Sequence, residues 1–355
     1  MGNALRLAVA GLGNNLSALI QGVHYYRKLV QDGANTSDLP GIRHYQIGGM
    51  SICDIKMVCA FDIQEQKIGK QINAAIFESP NNYPSLGVIS GQSECVVSDG
   101  LRLEGTTVRG REAVVRALRS SSAEVLLYSL PTGLQWAADA YAECALEAGV
   151  GFVNCTPETV ARNKVLADRF AAKGLSVIGD DLASHMGTSM LHRAILNLLL
   201  DRGLDLENTY QLNLGGNEDF RNLREKGSSK ATSKKNALAR QGLDTDRVHI
   251  IPSAGYVPHL ADRKVAYLNV VGRGWANTPV LIDLKLEVQD SSNAAGVIID
   301  LVRIAGATQR DGRGGFNPAA GSFLKSPPNG HSEESERQEQ EAFAILNQSD
   351  VAELA

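Results

Sequence analysis

Short apolar runs ending in glycine or a polar cluster alternate with helix-periodic stretches as far as Arg202, a rhythm that predicts repeated strand–helix units. Arg6-Leu7-Ala8-Val9-Ala10 reads as a buried strand, Gly11-Leu12-Gly13-Asn14-Asn15 as a turn, and Ala18, Leu19, Val23 and Tyr26 as the apolar face of a helix. Lys56-Met57-Val58-Cys59-Ala60-Phe61-Asp62 reads as a second strand ending in an acid. Residues 125–130 lead through Pro131-Thr132-Gly133 into a helix, 151–154 through Thr156-Pro157 into another, and 175–178 run into Gly179-Asp180-Asp181. The class predicted is α/β, with a Rossmann-type doubly wound parallel sheet whose ligand crevice follows the strand C-termini. Ser129, Thr132, Asn154, Asp180 and Asp181 fall on that edge, and each also fits an ordinary helix cap.

Beyond a helix over 184–202 the texture changes. Residues 210–214, 248–252, 264–271 and 280–288 are strand-like without long helices between them, which predicts an α+β domain on a largely antiparallel sheet. Asp290-Ser291-Ser292-Asn293 reads as the cap of a helix through Val297, Ile298, Val302 and Ile304. A Gly-rich stretch, 312–321, delivers Phe323-Leu324-Lys325-Ser326-Pro327-Pro328, and from His331 the chain is acidic and helical.

The first turn carries candidate chemistry. Strand, glycine turn and helix form the context of a dinucleotide fingerprint, in which Gly11 and Gly13 admit a pyrophosphate and the helix N-terminus offers N–H groups to it. The third glycine position is Leu16, so the motif is incomplete. Asp62 at the end of the second strand suits a ribose 2′-hydroxyl and repels a 2′-phosphate, which predicts NAD. It stands about fifty residues after Gly11 rather than the usual ~20, so residues 32–52 are expected to be an insertion.

Composition narrows the partners. At 355 residues, 43% hydrophobic and 21% charged, the chain is long enough for two domains with cores. No apolar run spans a bilayer and no signal-peptide layout opens the chain, so a cytoplasmic protein without a membrane partner is expected. Five scattered cysteines suggest neither disulfides nor zinc, seven histidines show no metal spacing, and a pI near 6 with only nine Tyr and eight Phe offers no basic, aromatic-studded surface to suggest nucleic acid.

One stretch runs against that charge. From Glu218 to Arg240 seven basic residues (Arg221, Arg224, Lys226, Lys230, Lys234, Lys235, Arg240) face three acids (Glu218, Asp219, Glu225). On a helix Lys226, Lys230 and Lys234 share one face without acids four residues before Lys230 or Lys234, which predicts either a solvated basic face or an anion site that orders around its ligand.

The motifs stand in one order along nearly the whole chain: Gly11-Leu12-Gly13-Asn14 with Gln21-Gly22-Val23 and Tyr25-Tyr26, Ala60-Phe61-Asp62, Ala75-Ile76-Phe77, Ser129-Leu130-Pro131, Gly179-Asp180-Asp181 and Gly215-Gly216-Asn217 with Asp219. Ser229-Lys230 and Ser233-Lys234, Asp262-Arg263-Lys264-Val265-Ala266-Tyr267, Asp290-Ser291 with Gly296-Val297-Ile298-Ile299-Asp300, and Leu324-Lys325-Ser326-Pro327-Pro328 complete the series. Together they resemble the myo-inositol-phosphate synthase family in its short bacterial and archaeal form.

That resemblance implies conversion of glucose 6-phosphate to inositol phosphate by a homotetramer, with NAD reduced and reoxidised within one turnover. It implies an NAD-binding Rossmann-type domain over 1–203, a catalytic and tetramerisation domain over 204–290, and a C-terminal segment, 291–355, returning to the first. Catalytic roles would fall on Lys230, Lys234, Lys264, Lys325, Asn217, Asp219 and Asp290. Cofactor contacts would fall on Gly11, Gly13, Asn14, Asn15, Asp62, Ser129, Thr132, Asp180 and Asp181. The residue types suit the reaction independently. Oxidation at C5 acidifies C6, and the enolate attacks the acceptor carbonyl beside a phosphate dianion, so lysines are the expected inventory. Lys230 would move the proton of the oxidised hydroxyl, Lys234 would hold phosphate, and Lys264 and Lys325 would hold the enolate and acceptor oxygens.

The chain departs from the family pattern in places. The family usually reads Gly-Asp-Asp-x-Lys-Ser, whereas Gly179-Asp180-Asp181-Leu182-Ala183-Ser184 lacks the lysine. The run from Asn222 to Ser229 is shorter than usual, and Lys235 stands where a Thr is common. Such changes fit neutral drift in a synthase, or a paralogue acting on fructose 6-phosphate, where C6 would attack the C2 ketone and close a five-membered carbocycle.

Overall fold

The computed structural model describes residues 4–89, 91–226 and 247–352. Lys230, Lys234 and most of the basic stretch lie outside the described residues. Six parallel strands form the first sheet, in the order Val177–Ile178, Gly151–Asn154, Val125–Tyr128, Leu5–Ala10, Ile55–Asp62, Val97–Asp99. Counted along the chain from Leu5–Ala10 this is the 3-2-1-4-5-6 order of a doubly wound fold, with its switch point between Leu5–Ala10 and Val125–Tyr128.

The period-two pattern of the strands sorts them onto two cores. Leu5, Leu7 and Val9 join Val125 and Leu127 under the helices Asn14–Gln31 and Asp290–Arg310, while Ala8 and Ala10 join Leu126 and Tyr128 under Arg111–Ser120, Gln135–Ala148 and Lys164–Ala172. A fully buried leucine such as Leu5 or Leu7 contributes about 1.5–3 kcal/mol over an exposed one.

Residues 32–52 are more than an inserted loop. Leu39, Ile47, Met50 and Ile52 are buried in the first of these cores. Gly48 lies so close to the helix Asp290–Arg310 that a Cβ there would stand 2.4 Å from the Ala307 side chain, so the segment is clamped to the helix.

The second sheet has the order Val248–Tyr256, Asp205–Gly215, Arg263–Arg273, Pro279–Gln289. Two of its three pairings are antiparallel, but Val248–Tyr256 runs parallel to Asp205–Gly215. The connection over 216–247 is long enough for a crossover, which a parallel pair needs and a hairpin does not. Thr188–Asp201 covers one face through Leu196 and Leu199, whereas Tyr210, Ile251, Tyr267 and Leu281 on the other are exposed. No helix among the described residues is long and apolar enough to cross a membrane.

Candidate active site

A cleft of about 340 Å³ opens at the switch point and extends to the second sheet. Gly11 starts it with φ +89°, and a Cβ there would lie 2.7 Å from the Ser129 carbonyl oxygen, so conformation and close approach both require glycine. The helix Asn14–Gln31 begins on the cleft with Gly13 at its N-cap and no side-chain capping bond, leaving its N-terminus to a ligand.

Asp62 lies on the cleft, 9% exposed. Its carboxylate is fixed by three backbone N–H groups: Leu12 donates to Oδ2 at 2.8 Å, Ile63 and Gln64 to Oδ1 at 2.8 and 3.0 Å. Buried Lys67, unmarked by any motif, stands 3.7 Å from Oδ2 and donates to the Leu12 carbonyl at 2.8 Å and to Asn81 Oδ1 at 3.0 Å. Burial pushes its ammonium down, and Asp62 partly opposes that. Asn15 donates to Ser129 Oγ at 3.4 Å, and Thr132 completes this wall.

Asp180 and Asp181 are adjacent in sequence but do different work. Asp180 is fully buried and does not line the cleft. Its carboxylate accepts from Asn154 Nδ2 at 2.8 Å, the backbone of Ala161 at 3.0 Å and Val160 at 3.2 Å, and Arg162 Nε at 3.1 Å. Asp181 does line the cleft, and its Oδ1 accepts from Lys325 Nζ at 2.8 Å. Two backbone bonds between Asp180 and Ser326, with Ala183 N donating to Phe323 O at 2.8 Å, lay the segment holding Lys325 against 180–183.

The second pair comes from the other sheet. Lys264 Nζ donates to Asp290 Oδ1 at 3.2 Å and Asn217 Nδ2 to Asp290 Oδ2 at 3.2 Å, with both charged side chains mostly buried at 17% and 19% exposure. Asn217 Oδ1 accepts from Phe220 N at 3.2 Å and so caps the helix Glu218–Lys226, whose first turn brings Asp219 to the cleft. Asp290 is the first residue of its helix, not its cap. The N–H of Ser291 is taken instead by Asp262 Oδ2 at 3.1 Å, which frees the Asp290 carboxylate for Lys264 and Asn217.

The cleft thus gathers Gly11, Gly13, Asn14, Asn15, Asp62, Ser129, Thr132, Asp181, Asn217, Asp219, Lys264, Asp290 and Lys325, and omits Asp180. Arg193 and His331 also line it and were not expected. Neither lies in a motif, and Arg193 is one position in an amphipathic helix.

The chain matches the model of the family described as myo-inositol-1-phosphate synthase over residues 187–291, which include Asn217, Asp219, Lys264 and Asp290. It is 39% identical over 357 residues to the inositol-3-phosphate synthase of Mycobacterium tuberculosis (strain CDC 1551 / Oshkosh), covering 96% of each chain. Among solved structures it is similar to the crystal structure of Ari2, at 54% identity and TM-score 0.90, covering 99% of this chain and 100% of that one. A myo-inositol-1-phosphate synthase-related protein from Thermotoga maritima shares the fold at 21% identity and TM-score 0.75, covering 96% of this chain and 99% of that one. With its lysine–carboxylate pairs on a Rossmann-type crevice, the chain belongs to the myo-inositol-phosphate synthase family, isomerase-type enzymes that cyclise a sugar phosphate.

Proposed function

We propose that this chain is an NAD-dependent, redox-neutral cyclase of a hexose 6-phosphate. The observation that carries the reading is the convergence in one cleft of a glycine turn, an acid at the end of the second strand, and two lysines each set against a carboxylate. The cradle at Gly11, the uncapped helix N-terminus and Asp62 fit a dinucleotide, with Asn14, Asn15, Ser129, Thr132 and Asp181 beside them. NAD, when bound, supplies the hydride acceptor that oxidises C5 and the donor that reduces it again.

The residues of the chain then handle protons and charge. Lys325 and Lys264 stabilise the oxyanions of the enolate and of the acceptor, and the carboxylates of Asp181 and Asp290 keep them aimed. Asn217 and Asp219 orient the sugar, and Lys230 and Lys234 carry the hydroxyl proton and the phosphate. The exposed apolar face of the second sheet, with Tyr210, Tyr267 and Leu281, suits burial in a homotetramer.

Position 183 favours the ketose as substrate. Ala183 lines the cleft, 6% exposed, beside the segment bearing Lys325, where the family pattern has a lysine. Its small side chain leaves room and removes one cation. In glucose 6-phosphate the acceptor C1 carries only hydrogen, whereas in fructose 6-phosphate the acceptor C2 carries a hydroxymethyl group that stays outside the new ring and needs that room. Fructose 6-phosphate closing to a five-membered cyclitol phosphate is therefore the preferred reading. Glucose 6-phosphate closing to myo-inositol phosphate is the second, carried by family membership.

Incubating the enzyme and NAD with each hexose phosphate separately, and reading the product by carbon NMR, tests the choice. A ring with one quaternary carbon and a free hydroxymethyl is expected from fructose 6-phosphate. Six ring methines from glucose 6-phosphate alone overturn the ketose reading, and no cyclised product from either overturns the cyclase reading. Ala183→Lys is expected to lower kcat/KM for the ketose by about tenfold or more, a transition-state loss of about 1.4 kcal/mol, by filling that room. Calorimetry is expected to show NADP binding at least about tenfold more weakly than NAD, because Asp62 faces the 2′-phosphate and Lys67 offsets its charge only in part.

A further inference from the structure

We infer that Asp262 is a positioning residue that couples the dinucleotide turn to the Lys264–Asp290 pair, so that cofactor and sugar phosphate bind cooperatively through it. The inference rests on the proposed function above. Asp262 is 1% exposed. Its Oδ1 accepts from Asn14 Nδ2 at 2.9 Å and from Ser291 Oγ at 2.5 Å, its Oδ2 from Ser291 N at 3.1 Å, and its backbone oxygen from Asp290 N at 3.1 Å. One residue thus holds the first residue of the dinucleotide-binding helix and both backbone N–H groups that fix where Asp290 sits.

The contacts close into a ring. Asn14 Nδ2 also donates to Asn82 Oδ1 at 2.6 Å, and Asn82 Nδ2 donates to the Gly216 carbonyl at 2.9 Å. Gly216 precedes Asn217, which returns to Asp290 Oδ2 at 3.2 Å. Gly216 itself has no slack, since a Cβ there would meet Ala261 N at 2.5 Å and Val257 O at 2.6 Å. A shift of Asn14 when the turn closes on a pyrophosphate therefore reaches Asp290 by two routes, through Asp262 and through Asn82 and Asn217.

The chemistry of Asp262 suits this role better than a plain structural one. Asn14, the Ser291 hydroxyl and the Ser291 N–H donate to it as an amide, a hydroxyl and a backbone N–H, all neutral. Burial, and after it the Asp290 charge, push its carboxyl up to about 6, against the pull of Ser291 and Asn14, so at neutral pH it remains an acceptor. A carboxylate accepts on both oxygens, whereas an asparagine must turn its N–H₂ toward either Ser291 N–H or Asn14 N–H₂. Asp262→Asn keeps the shape and breaks one arm of the coupling.

Calorimetry with NAD and with sorbitol 6-phosphate, an open-chain analogue without a carbonyl, each alone and in the presence of the other, measures the coupling directly. In the wild type each ligand is expected to tighten the other by about tenfold. Asp262→Asn, and independently Asn82→Ala at the far side of the ring, are expected to lower that factor by about fivefold or more, while NAD alone binds within about threefold of wild type. Unchanged coupling in a folded variant overturns the inference, as do affinities for both ligands that fall alike with the coupling intact. Should Asp262→Asn not fold, Asn82→Ala decides by the same criteria. A wild type that binds neither ligand overturns the proposed function instead.

Discussion

Lys325→Ala is expected to lower kcat by at least about a hundredfold, the scale of losing one preorganised donor to a developing oxyanion. Lys325 Nζ stands 2.8 Å from Asp181 Oδ1, with the two side chains 16% and 5% exposed, so the ammonium is held in place before substrate arrives. The substitution also removes the Lys325 charge from the Asp181 carboxylate, and some thermal stability is lost with it. Lys325→Arg separates the two effects. It keeps a positive charge beside Asp181 and restores the melting temperature, but the planar guanidinium cannot reproduce the ammonium's point contact, so turnover stays low. Lys230→Ala is expected to lose as much, on the proton-transfer role proposed for it. More than about a tenth of wild-type kcat in either alanine variant, a loss below about 1.4 kcal/mol, contradicts that residue's assignment.

Asp180→Ala is expected to cost stability rather than rate. The side chain is fully buried and gathers Asn154, the backbone of Val160 and Ala161, and Arg162 into one acceptor. Removing it strands the Asn154, Val160 and Ala161 donors in the interior, at about 1–3 kcal/mol for a buried group left unsatisfied, and takes the Arg162 guanidinium's partner from the exposed side. A melting curve is expected to move down by several degrees, while NAD bound at low temperature keeps near wild-type affinity. A variant that melts as wild type but loses NAD would return Asp180 to the cofactor site.

The contrast between Asp180 and Asp181 shows where sequence reading stops. The strand–helix units were legible because each buried strand is a continuous apolar run ending at a glycine or a polar cluster, and the switch-point crevice follows from their order. Which of two adjacent acids faces the crevice depends on the backbone path between them, and no residue type encodes it. The direction of Val248–Tyr256 was hidden for a similar reason, since it depends on the route taken over 216–247. Leu39, Ile47 and Met50 are isolated apolar residues among Gly, Asp and Ser and show no period, so the sequence does not mark them as core, although all three join it. Asp262 stands in the Asp262-Arg263-Lys264 motif, but its bond to Asn14 is not legible there because that partner is 248 positions away. For Asp290 the sequence admits both a cap, because Asp before a helix usually is one, and the site role implied by the resemblance; the Ser291 N–H goes to Asp262, and Asp290 stands against Lys264.

The claim that a hydride leaves C5 and returns to it within one turnover is tested most directly with substrate deuterated at C5. The labelled hexose 6-phosphate is turned over many times with NAD at no more than one equivalent per active site, while absorbance at 340 nm is followed. The product is then examined by mass and deuterium NMR. Retention of the label at the ring carbon derived from C5, with no build-up of NADH, is the predicted result. Loss of the label to the medium, or a reaction that stalls after one sugar per NAD with an equal amount of NADH formed, would contradict it.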